Sequence, residues 1–442
     1  MNNKIIEQLI FEFRNAIRRT TGIERYCEQE LFDTLGSKPI KIISGFRRTG
    51  KSYLARRIAK SALDLGMFNE DDVLYLNFEH FALQEYCTAQ ALSEIFTFFE
   101  SLSEPQPAPR RKLIIFDEIQ RVRDWDKYVR TLYELRGEEL EIILTGSNSE
   151  LLSAEIGSNL AGRFIEYKIT GFSFKEHLAS SEISISNRTE AKKQLAAIQQ
   201  HFNQWLRYGG LPEVSAINNE SAKYSYLQGV YSKVILDDIV QRFGVRNARM
   251  LELVFEYVTR NNGNIFQASK VAERMKQLDQ SIKTSTVTQY LEMLCKAFAL
   301  NEVSRFDWKS GKLFESQKKY YCVDTGIVNC FVGSERNEAK LLENAVYLEL
   351  KRRGGKIYYG NNGKSEIDFI TRDNQGNMLK FQVVTQLNSE NVERETTAFF
   401  GGDEYFARMA NVLLYRDIKN ATEIVYSDKI AYHNVIEWML FS

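Results

Sequence analysis

The chain has 442 residues, enough for about three domains of ordinary size, and its 44% hydrophobic and 26% charged content is that of a globular, water-exposed protein. Lysine plus arginine and aspartate plus glutamate each total 58, so the whole chain has no electrostatic pull toward nucleic acid or membrane, and any such preference must be local. No 18-residue apolar run occurs, and Met1-Asn2-Asn3-Lys4-Ile5-Ile6-Glu7 lacks the sustained apolar stretch of a secretion signal. Five scattered cysteines without a C-x-x-C pair read as reduced thiols, and four separated histidines offer no metal-ligand spacing. A cytoplasmic protein is expected, with no membrane partner.

Residues 4–36 alternate apolar and charged positions at helical spacing, which predicts amino-terminal helices over 1–36, packed in front of the first strand. From 39 to about 170, short apolar strands (39–44, 73–78, 113–117, 140–145 and 164–169) alternate with helices. That rhythm predicts an α/β core over 37–173, a parallel sheet covered on both faces. Pro105-Gln106-Pro107-Ala108-Pro109 marks an exposed loop before the third strand. Residues 174–245 are nearly all helical, broken at Tyr208-Gly209-Gly210-Leu211-Pro212. Residues 246–332 read as three helices and a strand pair, with a turn at Lys309-Ser310-Gly311-Lys312. Over 333–442 the pattern becomes a long helix (337–353), a hairpin (356–384), a helix, a strand and a final helix, a second α/β module.

Gly45-Phe46-Arg47-Arg48-Thr49-Gly50-Lys51-Ser52 matches G-x-x-x-x-G-K-[ST] between an apolar strand and an amphipathic helix starting at Tyr53. In that arrangement backbone N–H groups and a helix N-terminus converge on an anion, so 45–53 is read as the phosphate site of a nucleoside triphosphate. Lys51 is expected to reach the β- and γ-phosphates and Ser52 to hold Mg²⁺, while Arg47 and Arg48 face either phosphate or neighbouring acids. Leu113-Ile114-Ile115-Phe116-Asp117-Glu118 lies about one strand–helix unit further on. It has the form of a Walker B strand, with Asp117 on Mg²⁺ and Glu118 polarising the attacking water. The next strand ends at Thr145-Gly146-Ser147-Asn148, where Ser147 or Asn148 is expected to sense the γ-phosphate. Arg163, before the fifth strand, reads either as a charge offered to a neighbouring subunit's nucleotide in a homo-oligomer or as half of a local ion pair. The turn at Pro212 is read as placing backbone against adenine.

These residues, with Ile119-Gln120, Leu160-Ala161-Gly162, Leu342-Glu343-Asn344 and Glu366-Ile367-Asp368-Phe369, resemble the prokaryotic AAA-type ATPases that carry a C-terminal domain of unknown function (domain of unknown function 4143). The resemblance covers nearly the whole chain. It implies a P-loop AAA-type core with ATP and Mg²⁺, a helical lid over 174–245, a winged helix over 246–332 and a restriction-endonuclease-like fold over 333–442.

Phe266–Ala272 followed by Lys283–Tyr290 has the form of a helix-turn-helix, with Lys270, Arg274, Lys276 and Lys283 as modest positive charge for DNA phosphates. Endonucleases of the restriction type use a helix glutamate, a strand aspartate and an acid-x-lysine on the next strand. Glu343, Asp368 and Glu366 suit the first two positions, but Gln382 and Val384 stand where the acid and lysine belong. Metal capture without DNA cleavage is therefore expected of this module. The whole is read as an ATPase that couples hydrolysis to rearrangement of its C-terminal modules. A nucleotide-gated switch of low turnover and, less favoured, an ATP-controlled nuclease are the alternatives.

Overall fold

The five apolar runs of the amino-terminal third form one sheet because each is apolar on both faces and needs cover on both. In the structure, a computed structural model, residues 2–102, 110–147, 160–234, 239–277, 281–307, 312–333, 337–361, 365–401 and 404–441 are described. The proline loop, Asn148 and most of the turn at 309–312 lie outside them. The chain divides into two compact units, 1–169 and 170–442.

In the first unit, β1 (Ile40–Gly45), β2 (Val73–Asn77), β3 (Lys112–Asp117), β4 (Leu140–Gly146) and β5 (Phe164–Ile169) pair in the order β2-β3-β4-β1-β5. All four pairings are parallel. β4 thus lies between β1 and β3, so the ends of three strands meet at one edge. α1 (Asn3–Arg18), α2 (Glu28–Asp33), α3 (Lys51–Asp64), α4 (Ala89–Ser101) and α5 (Trp125–Arg136) are this unit's main helices. α1 shows how the pattern works: Ile6, Leu9, Ile10, Phe13 and Ile17 recur at helical spacing and are all buried. These side chains belong to the same apolar cluster as Ile42, Ile43, Ile114, Ile115, Ile143 and Leu144 of the central strands.

In the second unit, helices at Phe174–Ser180, Leu195–Tyr208, Glu220–Lys233 and Ala248–Arg260 precede an eight-stranded mixed sheet. Its strands are β6 (Ile265–Phe266), β7 (Leu300–Asp307), β8 (Lys312–Cys322), β9 (Lys356–Asn361), β10 (Glu366–Arg372), β11 (Met378–Leu387), β12 (Ala410–Ile418) and β13 (Ile430–Asn434). They run in the order β13-β12-β11-β10-β9-β7-β8-β6. The expected hairpin over 356–384 is a three-stranded antiparallel meander, β9-β10-β11. β7 pairs in parallel with β9, so the division expected at 332/333 runs through one continuous sheet. Between β8 and β9 the chain passes through the helices Thr325–Val332 and Glu338–Arg352, which supply the crossover a parallel pair requires.

The Gly209-Gly210 break is explained within this unit. The Gly210 N–H donates to Asp324 at 2.8 Å and its carbonyl accepts from Phe172 N–H. A Cβ on Gly209 would stand 1.8 Å from Asp324 Oδ1, so only glycine fits there. Pro212 occupies the first turn of the short helix Pro212–Ser215, where its missing N–H costs nothing. No helix among the described residues is long and apolar enough to cross a membrane.

Candidate functional site

Gly45 ends β1 at φ +153°, and a Cβ there would meet the Ile169 carbonyl at 2.2 Å, so the strand can pass β5 this closely only as glycine. Gly50 (φ +95°) caps α3 without a side-chain hydrogen bond. The N–H groups of the first turn of α3 thus have no capping side chain, which is how a helix start is left free for an anion. Inside the loop, Thr49 Oγ1 donates to the Phe46 carbonyl at 2.8 Å and closes the turn. Arg48 adopts φ +62°, a conformation that side chains usually avoid and that marks the loop as held by its surroundings.

Lys51, though buried, donates to the Phe46 carbonyl at 3.1 Å and lies 3.5 Å from Glu118 Oε1. Ser52 Oγ donates to Asp117 Oδ1 at 2.9 Å, which sets side by side the two oxygens expected to hold Mg²⁺. Asp117 is fully buried and also accepts from Tyr75 OH at 2.5 Å and from Thr145 Oγ1. Burial, then the neighbouring Glu118, raise its pKa above the ordinary carboxylate value, against the pull of the three hydroxyl donors. A cation beside Ser52 and Asp117 would favour the charged carboxylate, so this donor set fits a hard divalent ion.

Burial is the largest influence on Glu118 and works against its charge, but Lys51, Gln120, Arg47 and Ser147 together outweigh it, and the pKa falls below the ordinary value. Glu118 sits at φ +55° directly after β3. Its Oε2 accepts from Ser147 Oγ at 3.1 Å and from Gln120 Nε2, and its N–H donates to Thr145 Oγ1 at 3.1 Å. The carboxylate is therefore charged, aimed and restrained.

The structure brings together Lys51, Ser52, Asp117, Glu118 and Ser147 of the expected set. Arg47 is ion-paired to Glu79 at 2.9 Å, the neighbouring-acid arrangement. Tyr53 turns its hydroxyl to the Thr21 carbonyl, so its side chain serves the amino-terminal segment. Pro212 belongs to the second unit. Three contributors were not foreseen: Tyr75, Thr145 and Gln120. Thr145 carried a signal, since a polar residue in a fully buried strand must find a partner. Arg25 carried none. It is buried in the segment between α1 and α2 and donates to the Thr49 carbonyl at 2.7 Å, bracing the phosphate loop from behind.

Arg163 precedes β5, and its carbonyl accepts from Ile40 N–H at 2.9 Å. It therefore lies at the amino edge of the sheet, about 20 Å along β1 from the phosphate loop, given about 3.3 Å per strand residue. Its guanidinium pairs with Glu134 at 3.3 Å. Arg163 can thus act on a nucleotide only in trans. Mixing Arg163→Ala with Lys51→Ala protein tests this: recovered ATP turnover, with neither variant active alone, is expected of the subunit-bridging role. Absence of recovery in confirmed oligomers would leave only the local pair.

The second unit holds another charged group. Lys319 of β8 is almost fully buried and lies 2.6 Å from Glu366 Oε1 and 3.6 Å from Glu343 Oε1. Tyr321 OH donates to Glu343 Oε1 at 2.6 Å, and Val383 N–H to Asp368 Oδ2 at 2.8 Å. Burial disfavours the lysine's charge, but Glu343, Glu366 and Asp368 overcome it and raise the pKa. Burial and Glu343 together push Asp368 well above the usual carboxylate range. This corrects one expectation: Val384 removes the lysine from β11, yet an ammonium reaches the same carboxylates from β8. The residues Lys318-Lys319-Tyr320-Tyr321 gave no sign of it in sequence, because only sheet pairing brings β8 within reach of β10.

Residues 37–178 match the AAA domain family, and residues 199–338 match a domain of unknown function, DUF8612. An uncharacterized protein of Haemophilus influenzae is 30% identical over 419 residues, covering 94% of this chain and 98% of its own. One from Methanocaldococcus jannaschii is 29% identical, covering 89% and 85%. Among solved structures, a Walker-type ATPase of Pyrococcus abyssi superposes with a TM-score of 0.48 at 17% identity, covering 71% of this chain and 97% of its own. The chain belongs to the family of the Haemophilus protein and is an AAA-type P-loop protein with a domain of unknown function in its C-terminal part.

Proposed function

We propose that this family member is a cytoplasmic Mg²⁺-dependent ATPase that uses ATP binding and hydrolysis to rearrange its C-terminal modules on DNA. The observation that carries the reading is the convergence of Lys51, Ser52, Asp117 and Glu118 where β1 and β3 end. The first-turn N–H groups of α3 and the Lys51 ammonium bind the phosphates of ATP. Ser52 and Asp117 would hold Mg²⁺, which when bound neutralises charge on the phosphate oxygens. Glu118 orients the attacking water and takes up its proton, while Ser147 and Gln120 keep the carboxylate aimed. Phosphate arriving at Lys51 competes with Glu118 for the ammonium and so frees the carboxylate for water.

A second reading, a switch that binds ATP and turns over little, is favoured by that same Lys51–Glu118 pairing and the two extra donors on Glu118. Steady-state phosphate release from Mg²⁺-ATP, with EDTA and DNA as the two variables, separates them. Mg²⁺-dependent release is expected of the motor, and one turnover or less of the switch.

We read 246–332 as a winged helix: helices Ala248–Arg260, Ala268–Gln277 and Thr284–Lys296 precede the hairpin β7–β8, with β6 on its edge. Lys270, Arg274, Lys276 and Lys283 are all exposed there. Residues 333–442 we read as restriction-endonuclease-like, the module implied by resemblance to proteins with domain of unknown function 4143. DNA affinity is expected to fall steeply with salt and to drop in the Lys270→Glu, Lys283→Glu double variant, each lost phosphate contact reducing the salt slope by about one. Salt-independent affinity, or affinity unchanged in the double variant, would assign the segment to internal packing.

A further inference from the structure

We propose that Gln120 is a second catalytic residue of the nucleotide site, its side-chain carbonyl accepting a hydrogen bond from the attacking water. This role rests on the ATPase reading and adds to the aiming of Glu118 a direct contact with a reacting group.

The backbone fixes where the amide sits. Glu118 leaves β3 at φ +55° and ψ +45°, and the tight 3-10 turn Ile119–Arg121 follows at once. Arg121 N–H donates to the Glu118 carbonyl at 3.1 Å, and Val122 N–H to the Ile119 carbonyl at 2.9 Å. Ile119 and Val122 are both buried in the core of the first unit, so the turn is anchored on either side of Gln120. Its side chain is thereby turned back onto the Glu118 carboxylate.

Both ends of the amide can be assigned. Nε2 donates to Glu118 Oε2 and, at 3.3 Å, to Ser147 Oγ. The opposite orientation would set Oε1 against a carboxylate oxygen, acceptor against acceptor. Both N–H bonds of the amide are thus engaged, and the carbonyl is directed elsewhere. Oε1 is shut off from solvent and has no hydrogen-bond partner among the described residues. A buried acceptor without a donor is destabilising, and an apolar side chain of the same length would carry no such penalty. The neighbouring guanidinium groups of Arg47 and Arg121 do not meet it; they turn to Glu79 at 2.9 and 3.0 Å.

The donor that this carbonyl suits is the nucleophile. A water molecule that attacks phosphorus must point a lone pair at it, which requires an acceptor for each of its two O–H bonds. Glu118 is one acceptor, and Gln120 Oε1, on the side chain bonded to that carboxylate, is the other. Lys51 lies 3.5 Å from Glu118 Oε1, and its movement to phosphate clears the side of the carboxylate on which water binds. In the reaction the water oxygen bonds to the γ-phosphorus, and the P–O bond to ADP breaks with its electron pair staying on ADP. Glu118 takes one proton, and the other leaves with the inorganic phosphate. Nothing is oxidised or reduced, and Gln120 ends as it began.

The test uses full-length protein with Mg²⁺-ATP, phosphate release in a single turnover, and equilibrium binding of a fluorescent ATP analogue. Gln120→Met keeps the length of the side chain and removes both the carbonyl and the N–H groups. It is expected to slow hydrolysis at least about tenfold and to leave nucleotide affinity within a few-fold of wild type. Adding Gln120→Met to Glu118→Gln separates contact from aiming. A residue that acts only through the carboxylate has nothing left to aim, whereas a direct contact predicts a further loss of about tenfold. Gln120→Asn, an amide one methylene short, stands in with the same expected losses if Gln120→Met has no cooperative melting transition. Equal rates in Glu118→Gln and the double variant overturn the proposal, as does a wild-type rate in folded Gln120→Met. Wild-type protein without Mg²⁺-dependent phosphate release overturns the ATPase reading and this role together. Wild-type hydrolysis that is indifferent to Gln120 removes the water contact alone.

Discussion

Lys51→Ala is expected to reduce ATP affinity by at least about a hundredfold, measured by equilibrium binding of a fluorescent analogue. Hydrogen bonds to charged groups are worth about 1.5–3 kcal/mol each, and each 1.4 kcal/mol is about tenfold. The variant also leaves Glu118 without its main compensating charge, because Lys51 is what holds that buried carboxylate below its ordinary pKa. The Glu118 pKa should then rise, as burial, no longer opposed by the lysine, favours the neutral acid. Loss of the ammonium is thus expected to damage binding and water activation together. Unchanged affinity would remove Lys51 from the phosphate site.

Glu118→Gln separates the two effects. The amide keeps the size of the side chain and can still accept from Ser147, but it cannot take a proton. Nucleotide affinity should stay within a few-fold of wild type while turnover falls about 10²–10⁴-fold, the usual contribution of a positioned general base. The comparison reads turnover against affinity, which a merely structural defect would lower together.

Legibility in the sequence followed the range of the interaction. Strand, loop and helix around Gly45–Ser52 are contiguous, and each of the five strands appeared within a residue or so of its observed bounds, since a two-faced buried strand is apolar throughout. Asp117 and Glu118 were legible for the same reason, as acids closing an apolar run. Thr145 and Gln120 were passed over because their importance depends on β4 lying between β1 and β3, a fact of strand order. Arg25 is set by tertiary packing alone. In the second unit, β13 was missed because Ile430–Asn434 runs without a turn into the helix Val435–Phe441, and five residues carry little periodicity. Lys319 was missed for the deepest reason. Its place beside Glu366 and Glu343 depends on β8 pairing with β7, β7 with β9 and β9 with β10, three pairings that no local pattern encodes.

The most direct test of the central claim is the identity of the nucleotide recovered from Glu118→Gln protein after incubation with Mg²⁺-ATP, beside wild type treated in the same way. The geometry at Lys51, Ser52, Asp117 and Glu118 predicts stoichiometric ATP from the variant and ADP from wild type. ADP recovered from the variant at the wild-type rate would contradict the assignment of Glu118 as the base, and nucleotide-free protein in both would contradict the site itself.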